Sequence, residues 1–195
     1  MYSLLLMRIK MTQRKKILAI SGSTRTSSAN LNIIRHISEL CRDTADIRIF
    51  QGLTEIPHFN PDIDNDLPPT AVSEFRQQLK ESDGVLICTP EYAMGVPGTL
   101  KNAIDWTVSS CEFSHKPVAL ITASSVGQNG HRSLLETLRI IECDIPEESQ
   151  LLISFVKTKM NGEGEISDAA TLQNVQRLMA SLIMTIEDKS KKHEK

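Results

Sequence analysis

The sequence has no excess of charge of one sign, no apolar run long enough to span a bilayer, no closely spaced cysteine pair and no glycine-rich nucleotide motif. Each absence removes a class of function. With 22 Lys and Arg against 24 Asp and Glu, the net charge is -2. That field is too weak to gather nucleic acid phosphates, so no nucleic acid partner is expected. The early apolar patch, Leu4 to Met7, is followed by Arg8, Lys10, Arg14 and Lys15. This order is the reverse of a secretory signal, and the patch falls far short of the ~20 apolar residues a membrane span needs. A soluble, cytoplasmic protein with no membrane partner is expected, its residues 1–15 forming a flexible N-terminal extension. Cys41, Cys88, Cys111 and Cys143 lie far apart, with no histidines at zinc-site spacing. Buried reduced thiols are therefore expected, and no metal site. Cys111 and His115 stand four residues apart, a spacing that arises easily by chance and carries no assignment.

What is present is a regular alternation. A chain of 195 residues, 40% hydrophobic, can bury one genuine core but not two of ordinary size. Four runs are almost continuously apolar: Ile17–Ile20, Val85–Cys88, Val118–Ile121 and Leu151–Val156. Such runs suit strands covered on both faces of a parallel sheet. Asp46 to Phe50 alternates instead, as an edge strand does. Between them, apolar residues recur at helical spacing, as in Leu31, Ile34, Ile37 and Cys41, or Val72, Phe75 and Leu79. Three further stripes run over Leu100–Val108, Leu134–Ile141 and Leu172–Ile186. Five strand–helix units predict an open α/β sheet of order 2-1-3-4-5 with helices on both faces, over residues 16–186. Residues 187–195, rich in lysine, are expected to form a frayed, solvated tail. In that topology the ligand crevice lies at the carboxyl ends of the strands, beside the loops that follow Ile20, Cys88 and Ile121.

The first of these loops, Ser21 to Asn30, carries short hydroxyl side chains around one arginine and runs from a buried strand straight into a helix. Hydroxyls and backbone N–H groups at a helix start make an anion cradle, and Arg25 adds full charge with forked donors suited to phosphate. An ordinary turn with Ser28 or Asn30 as N-cap is the plain alternative. Neither GxGxxG nor GxxxxGK[ST] is present, and no acid at the end of the second strand could hold a ribose. A phosphomonoester therefore fits better than a pyrophosphate. The second loop, Thr89 to Gly98, is stiffened by two prolines and two glycines, and its Tyr92 and Met94 offer flat or polarisable surface to a ring.

Together these residues carry a family likeness. Gly22-Ser23-x-Arg25-x-x-Ser28-x-Asn30, with Pro90-Glu91-Tyr92 and Val96-Pro97-Gly98-x-Leu100-Lys101-Asn102-Ala103-Ile104-Asp105-Trp106, resembles the NADPH-dependent FMN reductase family, which includes quinone, azo-dye and chromate reductases. The likeness extends to Ile56-Pro57-His58-Phe59-Asn60-Pro61-Asp62 and to Ala123-Ser124 with Gly127 and Gly130. It implies a flavodoxin-like fold and an FMN-dependent oxidoreductase, with NADPH or NADH as co-substrate. The acceptor would be a quinone, an azo compound, a metal oxyanion or free flavin. It further implies that Ser23, Arg25, Ser28 and Asn30 hold the FMN phosphate and that Pro90, Glu91, Tyr92, Ala93, Met94 and Gly95 line the isoalloxazine ring. Ser124 and Gly127 would close the other side. No side chain is assigned as a general acid or base, because the flavin carries the chemistry. The resemblance also implies a homodimer or dimer of dimers, with Trp106 and the apolar side of the third and fourth helices as candidate contacts. Two departures stand out: Ala93 follows the tyrosine where many members have Asn, and Thr26-Ser27 occupies a frequent Lys-Gly position.

Competing classes fare less well. No GxSxG elbow accompanies Ser124, Ser125 and His131, which argues against a hydrolase. A receiver domain needs carboxylates where this chain has Ser21-Gly22 and Thr89-Pro90. A flavodoxin-type electron carrier would share fold and cofactor, and remains the alternative that NAD(P)H oxidation would separate.

Overall fold

Fully apolar strands need cover on both sides, and the chain provides it with two layers of helices. The computed structural model describes residues 14–193. Five parallel strands, β1 (Lys15–Ser21), β2 (Ala45–Ile49), β3 (Gly84–Thr89), β4 (Val118–Ala123) and β5 (Gln150–Ile153), form one sheet in the order β2-β1-β3-β4-β5. Every residue of β3 and β4 is buried, whereas β2 alternates along one edge and β5 is mostly half-buried along the other. The order and the alternating edge strand agree with the sequence pattern.

Successive side chains of a strand point to opposite faces, so each central strand feeds two cores. Ile17, Ala19, Leu86 and Cys88 pack with Ile33, Ile34 and Ile37 of α1 (Ala29–Leu40) and with Val175, Leu178 and Leu182 of α5 (Ala169–His193). Leu18, Ile20, Val85 and Ile87 pack on the other face. Their partners are Val72, Phe75 and Leu79 of α2 (Thr70–Glu81), Leu100 and Ala103 of α3 (Gly98–Asp105), and Leu134 and Leu138 of α4 (Gln128–Ile140). Each fully buried Val, Leu, Ile or Phe among them contributes roughly 1.5–3 kcal/mol.

Four details depart from the sequence pattern. The fourth apolar run does not continue as strand to Val156, because Phe155 turns into the left-handed region at φ 53° and the chain bends back on the third loop. There Phe155 N donates to the Ser125 carbonyl and Val156 N to that of Ser124, at 3.0 and 3.1 Å. The third helix stops at Asp105 rather than running to Val108, and the Trp106 carbonyl instead accepts from Nε of Arg76 at 2.9 Å and also from Nη2. At the C-terminus, α5 continues to His193 through part of the expected tail, with Lys189 Nζ donating to the His115 carbonyl at 2.6 Å. At the other end, Lys15 already belongs to β1, and the rest of the expected extension, save Arg14, lies outside the described residues.

Thiol burial is uneven too. Cys88 is fully buried and its thiol is pushed far up by desolvation, and burial with the nearby Asp144 charge takes Cys143 to about 12. Cys111, however, is exposed at φ 59°, and its thiol faces the carbonyls of Val108 and Ser109 rather than His115. Among the described residues no helix is long and apolar enough to cross a membrane.

Candidate functional site

Where the strand order reverses between β1 and β3, their connections diverge to opposite faces and leave a crevice at the carboxyl edge. The first loop leaves very close to its neighbour. Gly22 N donates to the Cys88 carbonyl at 2.8 Å, and a Cβ on Gly22 would lie 2.2 Å from Thr89 Oγ1. Only glycine permits that approach.

An open cleft of about 500 Å³ follows from this divergence, within the usual range for small-molecule sites. Ser23, Arg25, Ser28, Asn30, Pro90, Tyr92 and Ser124 all line it. Its polar groups are notably uncommitted. Ser28 stands at the N-cap of α1 with an extended backbone, yet its hydroxyl makes no bond to the helix, and the first turn holds no acidic residue. The first N–H groups of α1 therefore face the cleft with their dipole uncountered. Arg25 is exposed and forms no ion pair among the described residues. Ser23 is buried to 8% exposure, and its hydroxyl accepts only a long bond, 3.5 Å, from Arg25 N. Two hydroxyls, a guanidinium and a helix start suit a phosphate monoester.

Other expected residues sit elsewhere or face another way. Asn30 borders the cleft, but its amide is spent in the core. Nδ2 donates to the Ala123 carbonyl at 3.3 Å, and Oδ1 accepts from the Cys88 thiol at 3.3 Å. It ties the first turn of α1 to the ends of β3 and β4. Glu91 does not line the cleft, because its Oε2 accepts from Gly130 N at 2.6 Å in the first turn of α4. A Cβ on Gly130 would fall 2.9 Å from the Gly95 carbonyl, so glycine lets this junction close.

Ala93, Met94 and Gly95 also lie outside the cleft lining and form its rim. Tyr92 and Gly95 exchange two backbone bonds of 2.9 Å around Ala93 at φ 48° and Met94 at φ 63°, the pattern of a type I′ turn. Neither residue favours that conformation, whereas Asn would. Backbone strain is thus stored at the cleft mouth, where Tyr92 and Met94 are 51% and 69% exposed. Gly127 likewise shapes rather than lines. It caps α4 at φ 93°, and a Cβ there would meet Leu152 Cδ1 at 2.8 Å.

Beneath these loops, α3 acts as a clamp. Asn102 Oδ1 accepts from Phe59 N at 2.7 Å, its Nδ2 donates to the Pro57 carbonyl at 2.9 Å, and Trp106 Nε1 donates to the same carbonyl at 2.8 Å. Trp106 is wholly buried, edge-on to Phe59, and so cannot form the subunit contact expected of it. Arg76 closes the far end of the same segment through Asp64 at 2.6 Å. Burial would raise the Asp64 carboxyl, but the bonds from Ser109 and Arg76 outweigh it and hold the group below the usual range. His131 is half-buried with Nδ1 2.9 Å from Thr122 Oγ1, and desolvation lowers its pKa.

A fourth wall of the cleft was not anticipated from the sequence. The segment after β5 supplies Val156, Lys157, Met160 and residues 161–164 to the lining. Its one local signal is the turn-rich stretch Asn161-Gly162-Glu163-Gly164. Asn161 Oδ1 accepts from the backbone of Glu163 and Glu165, and Gly164 packs so closely on Asn32 of α1 that a Cβ would fall 2.6 Å from Nδ2.

Comparison with known proteins agrees with this arrangement. A quinone reductase from Pseudomonas putida is 29% identical over 164 residues, covering 81% of this chain and 88% of that protein. An NAD(P)H-dependent FMN reductase from Pseudomonas aeruginosa is 31% identical over 172 residues, covering 86% and 92%. Among solved structures, the flavoenzyme FerB, an NAD(P)H:(acceptor) oxidoreductase from Paracoccus denitrificans, superposes with a TM-score of 0.73 at 24% identity, over 89% of this chain and 98% of that one. That likeness extends the agreement to the fold. The sequence profile of one family matches residues 15–156, well over half of the chain and all five strands from β1 to β5. By that match the chain belongs to the NADPH-dependent FMN reductase family.

Proposed function

We propose that this protein is an NAD(P)H-dependent oxidoreductase that holds FMN in the carboxyl-edge cleft and reduces a small-molecule acceptor. The observation that carries the reading is the set of uncommitted phosphate donors, Ser23, Arg25, Ser28 and the start of α1, gathered beside a rigid second loop. Family membership and the names of the relatives support FMN and a nicotinamide donor. Held by Ser23, Arg25 and Ser28, FMN would supply the redox chemistry that links a nicotinamide donor to the acceptor. The chain's part is to bind and orient. The first loop fixes the phosphate, Pro90 and Tyr92 border the ring side, and Ser124 with Ser125 borders the opposite wall.

The Tyr92–Gly95 turn supplies shape and backbone groups at the ring edge, with Glu91 holding it against α4. Its exposed Tyr92 and Met94 suit flat apolar acceptors such as quinones. The relative named quinone reductase supports that acceptor class. We further propose a homodimer acting in the cytoplasm, the apolar rim of Tyr92, Met94 and Val126 facing the second subunit in place of Trp106.

Anaerobic mixing of the FMN-reconstituted protein with NADPH, then NADH, tests the reading by flavin absorbance. Rapid bleaching that a quinone reverses is the expected result. Flavin that binds but stays oxidised with both donors would make the protein an electron carrier, and failure to bind FMN would overturn the assignment.

A further inference from the structure

Resting on the reading of the cleft as an FMN site, we infer that Lys157 is a second cationic ligand for the flavin phosphate, with Glu163 opposing it. The profile of the family ends at residue 156, so this pair lies on a stretch of chain that the family match does not cover. Both residues nevertheless line the same cleft as Ser23, Arg25 and Ser28. The wall that carries them is well fixed. At its start, Phe155 N and Val156 N donate to the carbonyls of Ser125 and Ser124. At its far end Ile166 N donates to Nδ1 of His36, on α1, at 2.8 Å. The contact of Gly164 with Asn32 holds the intervening turn against the first turns of α1, the helix whose start faces the cleft.

Charge separates the two lysines of this wall. Lys159 is paired with Asp168 at 3.1 Å, whereas Lys157 forms no ion pair among the described residues. A phosphomonoester carries a charge of about -1.5 to -2 near neutral pH. Arg25 alone leaves much of it unbalanced, and Lys157 is the other cation that lines the cleft. Glu163 lines the same cleft with the opposite sign, its backbone N–H held by Asn161 Oδ1 at 3.0 Å. The wall therefore sets phosphate affinity through two side chains of opposite effect, and affinity for the ring through neither.

Titrating the apoprotein with FMN and with riboflavin, at low and high salt, tests this by the quenching of flavin fluorescence. Lys157→Gln should weaken FMN about three- to ten-fold and flatten its salt dependence, leave riboflavin within about two-fold, and be largely rescued by Lys157→Arg. Glu163→Gln should tighten FMN by about two-fold with riboflavin unmoved. Unchanged FMN affinity in Lys157→Gln would overturn the inference, as would equal weakening of FMN and riboflavin, which would mean a damaged wall. Should only the KM for NADPH rise, the lysine would serve the donor instead, and the inference would again fail. Wild-type protein that binds neither flavin would refute the FMN reading itself, which is a separate result.

Discussion

The first and second loops border the same cleft and are built on opposite plans. In the first, the backbone is pinned at Gly22 and the ends of Ser23, Arg25 and Ser28 are left with almost nothing to bind. In the second, backbone groups and the Glu91 carboxylate are spent on the protein itself. Glu91 satisfies α4, Tyr92 and Gly95 bridge each other, and Asn102 and Trp106 below bind the 56–60 segment. A free charge is best met by a ligand with a charge, and a fixed backbone by a ligand with a shape. The difference teaches that side-chain changes should act on ligand affinity in the first loop and on folding stability in the second.

Arg25→Ala offers the largest test of that division. It should weaken FMN by ~1.5–3 kcal/mol, ten- to a hundred-fold in titration, while the unfolding free energy in urea stays within about 0.5 kcal/mol of wild type. A stability loss of the same size would erase the contrast. Glu91→Ala should show the inverse, a loss of about 1 kcal/mol in denaturant unfolding from the uncapped start of α4, with FMN affinity changed far less. Met94→Gly relieves one left-handed position of the turn and should raise stability by roughly 0.5–1 kcal/mol in the same assay, against the usual direction for glycine. A destabilised variant would mean that the turn is not strained.

The smallest effect is one of pH. Burial lowers the folded-state pKa of His131 below its unfolded value of about 6.5. The unfolded chain therefore takes up the proton first as pH falls, and this contribution to stability is present above about 6.5 and lost between there and the lower folded value. His131→Gln should flatten the stability profile across that window, which urea titrations at several pH values would reveal.

Much of the architecture was legible because it is local. Val85 to Cys88 and Val118 to Ile121 are apolar without a break because both faces of β3 and β4 are covered, and Asp46 to Phe50 alternates because β2 has one open flank. The cleft-facing part of the first loop was legible for a similar reason, since its hydroxyls and arginine stand between a buried strand and a helix start, where this topology places a crevice. What periodicity could not show were bonds between distant residues. Glu91 reads as a cleft residue until Gly130, 39 positions away, claims its carboxylate. Asn30 reads as a phosphate ligand until Ala123, 93 positions away, takes its amide. Trp106 looks like a surface anchor on its helix, and only the return of Pro57 and Phe59 over it makes it core. The wall after β5 was missed because its turn residues look like any loop, and only contact with Asn32 brings them to the cleft.

The burial of Trp106 gives the molecule an optical property as well. It is the sole tryptophan in the chain, sealed from solvent and hydrogen-bonded at Nε1. Its emission should be blue-shifted and should come from a single environment, without the averaging that several indoles impose. It sits just past α3, the helix that leads out of the second loop, and oxidised flavin absorbs in the band where a buried indole emits. The protein thus carries one internal donor dye whose dimming would follow cofactor loading and whose red shift would follow unfolding, two events readable separately in one cuvette.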